Sequence, residues 1–141
     1  MSSLPDRQPG KPTPAAPNSA SGPAAADGTP DPAELARAVR RLADRYRHLS
    51  ESRLRARIDP DGHSDDTRAT LGLALARRLA ALGDAPGGAE VPDLGVFAVG
   101  DQIAVTGLDL VRELEGAWGE PGAGGALAEA LAAVREVAAL V

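Results

Sequence analysis

The residues best suited to chemistry form an acidic cluster at alternating positions within residues 59–66. Its members are Asp59, Asp61, His63, Asp65 and Asp66. Alternating oxygen ligands are typical of a calcium loop, but an EF-hand that began at Asp59 would require glycine at its sixth position and glutamate at its twelfth. This chain has Ser64 and Thr70 there, so the pattern fails. We therefore expect a turn followed by a helix cap, and no metal site.

Nucleophilic catalysis has few candidates in this chain, which contains no cysteine and only the histidines His48 and His63. A catalytic base needs a nucleophile and an orienting partner within reach. Ser50 is close to His48 in sequence, but residues two apart on a helix do not face each other. The spacing of the central glycines is not that of a dinucleotide site, and no phosphate-binding Gly-Lys-Ser/Thr loop occurs. The sequence predicts no catalytic residue and no cofactor.

An arginine-rich segment is the best functional candidate. Residues 31–58 carry eight arginines against four acids, whereas residues 59–141 carry five arginines against fourteen acids, within a net charge of −5. Five of these arginines share one predicted helix face, namely Arg37, Arg40, Arg41, Arg45 and Arg47. The simplest interpretation is a solvated face that the acidic remainder neutralises. The functional interpretation is an interaction face for a protein, or for nucleic acid along the Arg-rich residues 37–57.

The elements that position this face begin at a strong helix signal, Asp31-Pro32-Ala33-Glu34. Asp31 suits the N-cap, Pro32 the first helical position, and Glu34 the third. An apolar stripe then repeats at Leu35, Val39, Leu42, Tyr46 and Leu49. Because this spacing places the stripe on one side of a helix, it predicts a helix over 32–49 with its arginines on the other side.

Three further elements, a loop and a tail are predicted around this helix. Residues 50–58 alternate apolar and basic side chains, which suits a short helix or a strand equally, so both remain open. A second long helix is predicted at about 66–82, capped by Ser64, Asp65 or Asp66, and a third at about 126–140. The intervening residues 84–93 read as a loop, and the Pro-, Ala- and Ser-rich residues 1–30 as a disordered tail.

The stretch 94–118 holds the only phenylalanine and the only tryptophan, and it is the one place where β-branched residues cluster. Apolar runs on both sides of Gly100-Asp101 predict a short β-hairpin at about 95–106, followed by a helix that starts at Thr106. The alternative is one continuous helix from about Ala98, in which Gly100 and Gly107 are weak points. On the first interpretation, the hairpin is the piece on which the helices pack.

Composition limits the class of protein. The chain has 141 residues, of which 43% are hydrophobic and 2% aromatic, so one small domain over 31–141 with a thin core is expected. No apolar run approaches the ~20 residues of a membrane helix, no signal-peptide core is visible, and the lack of cysteine fits a reducing cytoplasm. Lys11 is the only lysine, and the bias towards Arg, Ala, Gly and Pro is typical of a GC-rich bacterium.

These observations together predict a mainly α protein, a three- to four-helix bundle with a short β-hairpin and a disordered N-terminal tail. The expected function is that of a non-enzymatic regulatory or adaptor protein in the cytoplasm. It would act through helix-mediated association with a protein partner or with itself, without a cofactor. A nucleic-acid-associated regulator is the alternative, and a small enzyme is the least favoured.

Overall fold

A computed structural model describes residues 30–83 and 91–141 of the chain. Its helices are α1 (Pro32–Arg47), α2 (Glu51–Arg55), α3 (Arg68–Leu82), α4 (Val99–Gly116) and α5 (Ala123–Leu140), and a 3₁₀ turn at Val96–Ala98 leads into α4. The predicted tail lies outside these residues apart from Pro30, and so does most of the predicted 84–93 loop. The mainly α class is confirmed for the described part of the chain.

Helix α1 begins as its sequence signal predicts. The Asp31 side chain accepts the backbone N–H of Glu34 at 2.9 Å, and Pro32 occupies the first turn. The apolar stripe is buried, with four of its members at most 2% exposed, and the helix ends at Arg47 rather than at residue 49. A stripe this well covered leaves the arginines to the solvent side of the helix.

Of the two open alternatives for residues 50–58, the short helix is confirmed over Glu51–Arg55 and the strand is wrong. Glu51–Arg55 forms one short helix, α2, whose Leu54 is buried. Arg57 then makes an isolated antiparallel bridge with Thr67, and these two residues bring the ends of the intervening turn together. No longer strand forms anywhere within residues 30–83 and 91–141.

The cap of α3 differs from the three predicted. Thr67, not Ser64, Asp65 or Asp66, occupies the N-cap, and its hydroxyl accepts the N–H of Thr70 at 3.1 Å. Thr70 in turn accepts the N–H of Thr67 at 2.8 Å, which completes a reciprocal capping box. Residues 64–66 instead extend the preceding turn, since the backbone pairs at Arg57 and Ile58 hold them outside the helix.

The β-hairpin at 95–106 is wrong, and the continuous-helix alternative is confirmed. Val99–Gly116 is a single helix, and Thr106 lies inside it rather than at its start, donating its hydroxyl to the carbonyl of Gln102 at 2.8 Å. Val99 and Ile103 are buried one turn apart on the face that meets the other helices. Burial on a helical period therefore outweighs the β-propensity of these branched residues.

The glycines that looked like weak points are close contacts between helices. A Cβ at Gly107 would lie 2.6 Å from a methyl carbon of Val39, and one at Gly100 would lie 3.0 Å from the carbonyl oxygen of Ala43. The earlier residue of α4, Gly100, contacts the later residue of α1, and the later residue of α4, Gly107, contacts the earlier one. The two helices therefore run antiparallel. The missing side chains let α4 approach α1 closely, which suits a core built mainly from alanine, leucine and valine.

Four long helices make up the bundle. Helices α1 and α3 each pack against both α4 and α5, which places α1 diagonally opposite α3. The last helix starts at Ala123, three residues before its predicted start, and runs through Gly124 and Gly125. No described helix combines the length and the apolar character that a membrane span would require.

Candidate interaction surfaces

The five arginines singled out in the sequence are all exposed on α1. Their positions follow from the buried stripe, since a helix that buries Leu35, Val39, Leu42 and Tyr46 must turn the residues between them outward. The contacts of each guanidinium group divide the five arginines into two groups.

Arg45 and Arg47 are held by the rest of the fold. Arg47 Nε donates to Asp101 of α4 at 2.9 Å, and its Nη1 donates to Asp44 at 3.0 Å. The hydrogen bond to Asp101 is the main reason that the pKa of Arg47 is raised above its ordinary value. Arg45 Nη1 donates to the carbonyl of Ala138 in the last turn of α5, at 3.0 Å. These two arginines therefore tie α1 to its neighbours, as the solvated-face interpretation expects.

The other three arginines are Arg37, Arg40 and Arg41. Their side chains form no hydrogen bond or ion pair with any residue of the described ranges. We name them the Arg cluster. They fall within little more than one helical turn, about 6 Å along the axis, because each residue of an α-helix advances it by about 1.5 Å. Three like charges so close together repel one another weakly in water.

A groove of about 400 Å³ runs beside the Arg cluster, between α1 and α4. Its lining consists of Ala33, Ala36, Arg37, Arg40, Leu108, Val111, Arg112 and Glu115. Ala36 and Val111 are buried at its floor, and Leu108 is half-buried. Arg112 stands on the α4 wall and pairs with Asp109 at 3.0 Å. The groove thus has an apolar floor and a basic wall on α1.

A second surface is apolar. Leu94, Phe97 and Val105 expose 66%, 67% and 61% of their surface, and we name them the apolar patch. Leu94 and Val105 line one groove of about 450 Å³, together with Val91, Pro92, Ala98, Asp101, Gln102 and Thr106. Phe97 lies on the 3₁₀ turn that enters α4. The sequence predicted Phe97 and Val105 on a hairpin. In the structure Val105 lies on the same helix as the buried residues Val99 and Ile103 but faces a different side of it.

The acidic cluster of residues 59–66 is a turn in the structure. The carbonyl of Asp59 accepts the N–H of Gly62 at 3.2 Å, Asp65 pairs with Arg57 at 3.5 Å, and Asp66 accepts the hydroxyl of Ser64 at 2.9 Å. Within residues 30–83 and 91–141, no group of three or more His, Cys, Asp or Glu side chains is arranged to hold a metal ion.

The two histidines lie on the surface and are not brought together with a nucleophile. His48 Nδ1 is 2.7 Å from the carbonyl oxygen of Asp44, where it closes the last turn of α1. Ser50 caps α2 by accepting the N–H of Arg53 at 3.3 Å. His63 is exposed in the acidic turn. His48 and Ser50 therefore each have a local role at a helix end.

Comparison with known proteins finds no matching family model, no matching curated protein and no matching solved structure.

Proposed function

We propose that this protein is a non-enzymatic regulatory or adaptor protein of the cytoplasm that acts through helix-mediated protein association, and that it associates with itself through the apolar patch. The observation that carries the proposal is the exposure of Leu94, Phe97 and Val105 at 61–67% in a chain of which only 2% is aromatic. Burying these three side chains against a partner would add buried apolar surface area to that of the small monomer core.

The rim of the apolar patch favours a second copy as the partner. Asp101 pairs with Arg47, which also pairs with Asp44, and Asp109 pairs with Arg112, so part of the acidic charge that borders the patch is compensated within the chain. A two-fold interface brings the same surface of both protomers together, and like charges at its rim would oppose it. These ion pairs reduce the like-charge repulsion between two copies that meet at the patch. Among the described residues, Asp93, next to Leu94 in the chain, accepts only the backbone N–H of Gly95, so some repulsion remains.

The size of the patch indicates a reversible dimer. The three exposed side chains together offer on the order of 350 Å² of apolar area, which is below the ~800 Å² per partner of a stable interface. We therefore expect weak, reversible association that depends on protein concentration.

Sedimentation velocity of the full chain over a wide concentration range tests this proposal. We expect the wild type to shift from monomer to dimer, and Val105→Glu to remain monomeric because it places a charge in the patch. Leu140→Glu is the matched control, since Leu140 is 45% exposed but lies outside the patch on α5. A strictly monomeric wild type, or a Val105→Glu variant that dimerises like the wild type, would contradict self-association.

Nucleic-acid association is the second candidate function, and the unpaired Arg cluster is the observation that favours it. Its three guanidinium groups could meet backbone phosphates, which would make the affinity fall steeply with salt. The overall charge of −5 opposes it at long range. A gel-shift assay with duplex DNA and RNA at low and moderate salt is the direct test, and no shift at low salt would eliminate this candidate.

A further inference from the structure

The Arg cluster and the groove beside it form a surface distinct from the apolar patch. We propose that this surface binds an acidic amphipathic helix of a partner protein. The carboxylates of that helix would pair with Arg37, Arg40 and Arg41, and its apolar side chains would lie over Ala36, Leu108 and Val111. The inference rests on the proposed role in protein association, to which it adds the chemistry of a second partner.

Charge is the first reason for this assignment. Two of the acids near the Arg cluster pair with other arginines, Glu34 with Arg135 and Asp44 with Arg47. Glu115 lies across the groove and forms no ion pair with the cluster, so among the described residues the three arginines are not paired with any acid. Three like charges also oppose contact with the same face of a second copy, in contrast to the apolar patch. An anionic partner of a different kind fits this surface.

The groove supplies the second reason, because it provides an apolar floor next to the charges. An amphipathic helix that lies in a groove places apolar anchors at spacings of three and four residues and charged residues beside them. Glu115 stands on the α4 wall, so an acidic helix would have to turn its carboxylates towards α1 and away from that wall. This asymmetry predicts one preferred orientation of the bound helix.

The observations favour an acidic helix over nucleic acid. Carboxylates three and four positions apart on a helix are about 5–6 Å apart, which matches the spacing of the Arg cluster. No aromatic side chain lines this groove to stack on a base. The acidic body of the chain, with fourteen acids in residues 59–141, repels an extended polyanion more than a short helix with few charges.

The test uses the full chain and a fluorescein-labelled synthetic helical peptide. The peptide carries leucines four residues apart and flanking glutamates three and four residues apart. Two further probes are the same peptide with lysine in place of glutamate, and a labelled DNA duplex of about two helical turns. Fluorescence anisotropy is measured at low and at moderate salt. We expect the acidic peptide to bind with an affinity that falls as salt rises, and the lysine peptide not to bind.

Variants locate the site. Arg40→Glu should weaken the acidic peptide by about tenfold, because a partly desolvated attraction becomes a repulsion. Arg53→Glu is the matched control. Arg53 is also exposed and its side chain forms no hydrogen bond or ion pair with the described residues, and its substitution by glutamate changes the net charge by the same amount. The proposal would be overturned if the acidic peptide did not bind at low salt. It would also be overturned if both variants lost affinity for the peptide to the same extent. Tighter binding of the duplex than of the peptide, lost in Arg40→Glu, would overturn it in favour of nucleic acid.

Self-association and acidic-helix binding can each be refuted without refuting the other. Val105→Glu should bind the acidic peptide as the wild type does, because Val105 lines a different groove. A chain that dimerises but does not bind the peptide overturns only the acidic-helix inference. A chain that binds the peptide but remains strictly monomeric overturns only self-association.

Discussion

The single tyrosine of this chain should control its stability at alkaline pH. Tyr46 is 2% exposed, and its hydroxyl donates to the carbonyl of Arg68, the first residue of α3, at 2.7 Å. Its ring fills the space left by a glycine, since a Cβ at Gly72 would lie 2.8 Å from the ring carbon that bears the hydroxyl. The phenol is thus enclosed between helices, where ionisation would put a charge in a poorly solvated site.

Burial raises the pKa of Tyr46 above its ordinary value, and the positive charge of Arg68 only partly opposes this effect. The folded chain therefore keeps a proton that the unfolded chain releases near pH 10. The resulting contribution to stability is complete below about pH 10 and is lost as the pH rises towards the pKa of the folded state. The loss approaches about 1.4 kcal/mol for each pH unit well above pH 10, and it amounts to about 2.3 kcal/mol between pH 10 and pH 12 because the unfolded phenol is half ionised at pH 10.

Urea unfolding followed by far-ultraviolet circular dichroism, at intervals from pH 8 to pH 12, measures this loss. Absorbance of the phenolate reports ionisation directly, because the chain has no other tyrosine. Tyr46→Phe should lose about 1 kcal/mol at pH 8, the value of a buried hydrogen bond, but should keep a nearly constant stability above pH 10. The variant retains Lys11 and all arginines, so it is the matched control for their titration.

Two results would refute this reasoning. Phenolate absorbance in the folded chain at the pKa of a free tyrosine would show that the phenol is solvated. The same alkaline loss of stability in Tyr46→Phe would show that another group is responsible.

Two further predictions concern the helices. Gly107→Ala should lower the free energy of unfolding by about 1–3 kcal/mol despite the better helix propensity of alanine, because its Cβ would lie 2.6 Å from Val39 in a packed interface. Gly125→Ala should instead raise the free energy of unfolding by up to about 1 kcal/mol, because a Cβ at this position in the first turn of α5 meets open space. A stabilised Gly107→Ala in urea unfolding would disprove the close approach of α1 and α4. Asp31→Ala should cost about 1 kcal/mol by removing the acceptor of the Glu34 N–H, and an unchanged thermal midpoint would contradict that role.

The elements that could be predicted are those with local signals. Asp31 and Pro32 specify the start of α1 through one hydrogen bond and one fixed backbone angle, and both act within a single turn. The apolar stripe of α1 likewise needs no knowledge of its partner, because its period alone defines the buried side. The exposure of the arginine face follows from the same period.

The central stretch shows where local signals mislead. Its branched residues and Gly100-Asp101 resemble a hairpin, yet Val99, Ile103, Gly107 and Leu114 lie on one helical face. A glycine in a sequence is equally consistent with a turn and with a close contact between helices. Only the position of Val39 against Gly107 decides between them, and these two residues are far apart along the chain.

The sequence by itself determined the helical class, the bounds of α1 to within two residues and the outward direction of its five arginines, since all three depend on periodicity and capping within a few residues. The tertiary structure alone decided which of those arginines have partners. Arg47 meets Asp101 and Arg45 meets Ala138 only because α4 and α5 pack beside α1. The same packing leaves the Arg cluster and the apolar patch exposed, and contacts of this kind join residues that no local pattern relates.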